Sequence, residues 1–122
     1  MIRKPMSEDR ESVTKKLKIG NMKGFITVGL WPDGTPGEVF LVIKQMGSFE
    51  RGLCHALALM ISLALQYGVP LEKISEKLTN LHFEPQGVTG DPQIPFVSSI
   101  ADYIGKWLAL RFLSKGKDGK TV

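Results

Sequence analysis

The hydrophobic pattern of this chain changes its period once, at Gly47-Ser48, and that change constrains the fold more than any other feature. Before it the pattern belongs to strands. Val13, Leu17 and Ile19 alternate with Thr14, Lys16 and Lys18, as in a strand with one wet face. Residues 24–31 (GFITVGLW) and 38–45 (EVFLVIKQ) are rich in β-branched and aromatic side chains, and residues 32–38 (PDGTPGE) between them are a concentrated turn signal. Two such runs around a tight connection make a hairpin. Both of its faces are apolar, with Ile26, Val28 and Leu30 on one side and Phe25 and Trp31 on the other. One layer of helices covers one face, and the second calls for another subunit.

After Gly47 the period becomes helical. Ser48 is a suitable N-cap, and Glu50 in the first turn suits the helix dipole. The spacing predicts a helix to about Tyr67, stopped at Gly68 with Pro70 just beyond. Leu53, Leu57, Met60, Ile61, Ala64 and Leu65, with Leu59 and Leu63, make it apolar nearly all round, which predicts burial on several sides. Its apolar run, residues 53–67, includes His55, Ser62 and Gln66 and is shorter than the ~20 residues a bilayer requires, so no membrane span is expected. A short helix follows over residues 70–80, with Leu71, Ile74 and Leu78 on one face and a Lys73–Glu76 pair at i,i+3 on the solvated one. Residues 80–97, with Pro or Gly at 85, 87, 90, 92 and 95, read as a loop. The last helix starts near Ser98 and reaches about Leu113, with Ile100, Ile104, Trp107 and Leu108 as its stripe. The expected architecture is α+β: an antiparallel three-stranded sheet followed by three helices packed on one face, in the order β-β-β-α-α-α. Residues 12–113 form one domain, between a flexible segment 1–11 and a flexible basic tail 114–122.

Charge narrows the function classes. The chain has 122 residues, 43% of them hydrophobic, enough for one core. Its formal charge of +4 belongs to the ends: residues 1–18 carry six basic and three acidic side chains, whereas residues 19–113 carry seven and eight. A nucleic-acid groove places its basic residues on ordered elements, so nucleic acid is not an expected partner. Cys54 is the one cysteine, which excludes an intrachain disulfide and a cysteine-based metal site and suits a reducing cytoplasm. The N-terminus, MIRKPMSEDRES, lacks the apolar core of a signal peptide.

No constellation of residues compels catalysis. Cys54 and His55 are adjacent on a helix and point about 100° apart, which does not make a nucleophile and base. Two histidines and one cysteine form no ligand spacing, and no metal or cofactor is expected. Two helix starts offer free N–H groups and hydroxyls: 45–48, and the 88–99 stretch with its Thr89, Gly90, Asp91, Ser98 and Ser99. For either one alone a structural cap is the favoured role, and neither matches a nucleotide fingerprint. Arg51, in a first helical turn, opposes the dipole there, which a bound anion would compensate. Trp31, Phe83 and Phe96 fall at turns or loops, where a ring packs on the core or stacks on a base. The candidate ligand-binding set is Lys44, Ser48, Arg51, Phe83, Thr89, Gly90, Asp91, Gln93, Ser98, Ser99 and Arg111, placed at a subunit boundary.

Three stretches in order, KIGNMKGFITVGLWPDGTPGEVFLVIKQMGS, LALMISLALQYGVPLEKI and FEPQGVTGDPQIPFVSSIADYIGKWLALRFL, resemble the C-terminal accessory (TSCPD-type) domain of adenosylcobalamin-dependent class II ribonucleotide reductases. The Thr-Ser-Cys-Pro-Asp signature itself is replaced around Thr89–Pro92 and Pro95–Ser99 by residues without cysteine. The resemblance implies a non-catalytic, stand-alone accessory domain, since ribonucleotide reduction needs a thiyl site and a redox pair that one cysteine cannot supply. It implies binding to a class II reductase catalytic chain or to a nucleotide. The alternative is a homo-oligomeric binder that sequesters a nucleotide or cyclic-nucleotide signal, as some phage proteins do.

Overall fold

The computed structural model describes residues 2–44 and 46–113; the expected tail 114–122 lies outside the described residues. The fold is α+β, with three antiparallel strands followed by three helices, as the order of periods predicts. The chain divides into two compact units. One comprises the residues up to Leu17 with Met22–Val69, the other Lys18–Asn21 with the residues from Pro70 on.

β1 (Ser12–Ile19, its last two residues assigned to the second unit), β2 (Met22–Leu30) and β3 (Pro36–Ile43) form a sheet in sequence order. β2 and β3 pair from Gly24↔Ile43 to Val28↔Val39, with a shift between Gly29 and Leu30. The turn between them is held by Asp33, whose Oδ1 accepts from the N–H (3.0 Å) and hydroxyl (2.6 Å) of Thr35. Gly34 sits there at φ +87°, a conformation that glycine adopts without strain. Gly29 also has a steric reason: a Cβ there would run into the Glu38 carboxylate, which Arg10 Nε holds at 2.5 Å. Residues 3–11 carry other specific contacts too. Lys4 N–H donates to Gln66 O (2.8 Å), the Lys4 ammonium lies 4.3 Å from the Trp31 ring centroid, and Glu11 O accepts from Leu30 N–H.

α1 (Ser48–Gln66) starts one residue earlier than expected: Gly47 occupies the N-cap position without a side-chain bond, and Ser48 is the first helical residue. The exit is as predicted. Gly68, at φ +94°, donates to Leu65 O (3.1 Å) and Val69 to Ala64 O (2.9 Å), the paired closure that a left-handed glycine permits. The expectation of burial on several sides is corrected. Cys54, Ala58, Ile61, Ser62, Leu65 and Gln66 are buried, but Phe49, Leu53, Leu59 and Met60 are exposed. The buried stripe packs on β3. Lys44 N–H bonds Lys23 O (2.9 Å), so in this register the N–H and C=O of Val39 point away from β2. Ser62 Oγ meets both, at 2.8 and 3.1 Å, and Gln66 Nε2 donates to Gly37 O at 3.0 Å. Two polar residues of an apolar helix thus satisfy a strand edge.

In the second unit, α2 (Leu71–Leu78) ends at Thr79 with Asn80 in the left-handed region (φ 70°). The stretch expected as a loop contains a hairpin, β4 (Gly87–Asp91) and β5 (Ile94–Val97). α3 (Ile100–Leu108) continues as a π-helical turn over Ala109–Leu113. The N-cap is Ser99, one residue beyond the expected Ser98. Ile94, Val97, Ile100, Ala101, Tyr103, Ile104 and Leu108 form the core of this unit. α2 and α3 approach closely at Gly105, whose carbonyl accepts from Ser75 Oγ at 2.7 Å. A Cβ there would stand 2.8 Å from Thr79 N and 2.9 Å from Ser75 O.

Candidate functional site

The candidate residues fall on both units. Lys44, Ser48 and Arg51 belong to the first, where Lys44 and Arg51 are exposed and the Lys44 ammonium lies 5.2 Å from the Phe25 ring centroid. Phe83, Thr89, Gly90, Asp91, Gln93, Ser98, Ser99 and Arg111 belong to the second.

Within the second unit four of them build a turn. Buried Thr89 donates through its hydroxyl to Ile94 O and accepts from Asp91 N–H at 3.0 Å. Asp91 Oδ1 accepts from Gln93 N–H at 2.9 Å, and Gly90 supplies the left-handed residue (φ +78°). Phe83 N–H donates to Ser98 O at 3.1 Å, and the rings of Phe83 and Phe96 are exposed. The Arg111 guanidinium stands 5.9 Å from the Phe112 ring centroid.

The α3 N-terminus, one of the two helix starts that the sequence offers to an anion, is filled from within. Ser99 Oγ accepts from Asp102 N–H (3.0 Å) and donates to Leu81 O (2.6 Å). The fully buried Asp102 carboxylate returns the bond: Oδ2 accepts from Ser98 N–H (2.8 Å) and Lys106 Nζ (3.1 Å), and Oδ1 from Asn80 N–H (2.7 Å). This is a variant of the capping box, in which the acid in the third position accepts from the N–H just before the cap rather than from the cap's own, extended to the end of α2. Burial works to raise the Asp102 carboxyl, but the N–H groups of Ser98 and Asn80 and the Lys106 ammonium outweigh it and hold it below the ordinary carboxylate value. Asp102 and Asn80 stood outside the candidate set, although the Ser99-x-x-Asp102 spacing is a legible capping signal.

Other titratable groups are tuned away from reactivity. Burial, with the Glu50 charge behind it, pushes the Cys54 thiol up and so disfavours the thiolate. Burial and the Asp91 charge push Tyr103 up to about 12. Among the described residues no group of three His, Cys, Asp or Glu is placed to hold a metal ion, and no buried side-chain N or O lacks a partner.

The TSCPD domain family model matches residues 2–112. The chain is 40% identical over 112 residues to a vitamin B12-dependent ribonucleotide reductase of Rhodopirellula baltica, covering 92% of this chain and 11% of that protein. It is 42% identical over 112 residues to the enzyme so named in Streptantibioticus cattleyicolor (92% and 19%), and 35% identical over 114 residues to that in Bradyrhizobium diazoefficiens (93% and 9%). No solved structure matches. The chain therefore spans a fifth or less of the length of these relatives. With nearly its whole described length matched by one domain family, the chain belongs to the TSCPD domain family and is related to that domain of the vitamin B12-dependent ribonucleotide reductases.

Proposed function

We propose that this chain is a non-catalytic relative of the reductase accessory domain that acts by binding another protein, foremost the catalytic chain of a vitamin B12-dependent ribonucleotide reductase, in a reducing cytoplasm. The observation that carries this reading is the shape of the match: 92% of this chain against 11% of the Rhodopirellula enzyme. A domain that is a small fraction of a large enzyme works through contacts with the rest of it. The chain's own chemistry agrees, since the one thiol is buried and the buried carboxylate Asp102 is committed to capping. The test is co-purification and sedimentation of the folded chain with a class II reductase catalytic chain. A stable complex is expected, and its absence at tens of micromolar of each protein would overturn the reading.

A second reading, a nucleotide or cyclic-nucleotide binder of the kind that sequesters a signal, draws on the exposed rings of Phe83 and Phe96 and the exposed Arg51 and Arg111. Rings and arginines are the residues that stack on bases and clamp phosphates. It expects a rise in melting temperature with at least one member of a nucleotide panel, lost in Arg51→Ala and Arg111→Ala. Flat curves across the panel would remove it.

A further inference from the structure

α1 carries two apolar stripes, and among the described residues only one is buried. Cys54, Ala58, Ile61 and Leu65 face β3. On another side, Phe49, Leu53, Ala56, Met60, Leu63 and Tyr67 follow one another in steps of four, three, four, three and four. That is the spacing of a helix–helix seam. Phe49 is 73% exposed, Leu53 56%, Met60 60% and Tyr67 40%, with Leu59 beside them at 50%. A solvated helix face carries charges, yet no Asp, Glu, Lys or Arg occurs from Gly52 to Val69. Gly52 sharpens the point. Glycine is the poorest helix former after proline, and a Cβ at Gly52 would meet nothing within 4 Å, so nothing among the described residues requires glycine there.

We propose that α1 pairs with α1 of a second copy of this chain, antiparallel across a two-fold axis at Ala56, near the middle of Ser48–Gln66. In that register Gly52 faces the partner's Met60, Leu53 the partner's Leu59 and Phe49 the partner's Leu63. The small side of each helix at Gly52 and Ala56 receives the long Met60 of the other, which gives the glycine its reason.

Side-chain size selects the antiparallel arrangement. A parallel pair sets Gly52 beside Gly52 and Met60 beside Met60 and aligns the two dipoles, whereas the antiparallel pair seats the long side chain of one helix over the glycine of the other. Area is sufficient. Phe49, Leu53, Leu59, Met60 and Tyr67 at their exposures present on the order of 600 Å² per copy, which over two copies reaches the lower bound for a specific interface of about 1,000 Å². An interface of that size is reversible, with a Kd on the order of micromolar. The proposal rests on the reading of this chain as a protein-binding domain, but its test needs no reductase, so the two fail separately.

The experiment is sedimentation of the whole chain over a concentration series, with two charge variants, Leu53→Glu/Leu59→Glu and Leu53→Lys/Leu59→Lys. Both positions are at least half exposed, so melting curves like the parent's are expected. The parent should dimerise in the micromolar range. Each variant alone should lose at least about a hundredfold in affinity, because like charges meet across the axis, and an equimolar mixture of the two should dimerise again. Independently, Ala56→Cys should form a disulfide-linked dimer under mild oxidation, since an axis at that residue brings the two Cα atoms within bridging distance; the parent, with only its buried Cys54, should not. A parent that stays monomeric at several hundred micromolar, a dimer indifferent to both variants, or a mixture that fails to pair would each overturn the proposal. So would binding of a monomeric parent to phosphatidylglycerol vesicles, abolished in both variants, which would assign the face to a lipid surface.

Discussion

Asp102 shows what a single residue contributes when its environment is complete. It is fully buried, yet both of its oxygens accept hydrogen bonds and its own N–H is capped by Ser99. Its carboxyl is held below the unfolded value of about 3.9. The stability it contributes is therefore fully present above that value and is lost as pH falls through the folded one. Asp102→Ala should cost about 2–4 kcal/mol, because it strands the N–H groups of Ser98 and Asn80. Its loss should also flatten the acid limb of the stability curve, as urea titrations between about pH 3 and 7 would show. The sequence signals this residue only by spacing. Ser99-x-x-Asp102 announces a cap, but the third donor, Asn80, lies 22 positions away, and no local rule brings it there.

Among the elements, those with long and regular periods were legible. The β2–β3 hairpin and the exit of α1 at Gly68 are where composition and turn chemistry put them. The β4–β5 hairpin was hidden because its strands are short, and because Pro92 and Pro95 with Gly87 and Gly90 read as breakers. Its one clear signal is Asp91-Pro92-Gln93, an acidic residue that bonds two positions on around a proline turn. α1 was legible as a helix but not in its exposure. A helix apolar all round reads as buried, and only coordinates reveal that Leu53 and Met60 face outward. Between α2 and α3 packing overrides propensity. Gly105→Ala would help an isolated helix by about 1 kcal/mol. Here its Cβ would press on backbone atoms of Ser75 and Thr79, so a net loss of about 1–3 kcal/mol is expected, read as a lowered urea midpoint.

At the scale of the whole molecule, the family was legible because the order of its segments survives, and the match runs over residues 2–112. The binding set was less so. Sequence can nominate Thr89, Ser98 and Ser99 as hydroxyls near a helix start, but their partners, Ile94 O, Asp102 and Leu81 O, are fixed by folding. The Ser62 and Gln66 bonds to β3 carry a consequence for how this protein fails as well as for how it works. An open strand edge is a template: each chain added presents a fresh edge, and growth has no natural end. At Val39 and Gly37 that template is stoppered by two side chains of α1. Much of the chain's exposed apolar surface lies instead along α1, and the proposed two-fold helix pair would consume that face of both copies at once. A contact of that symmetry would close at two copies, whereas an open strand edge would run on to a fibre.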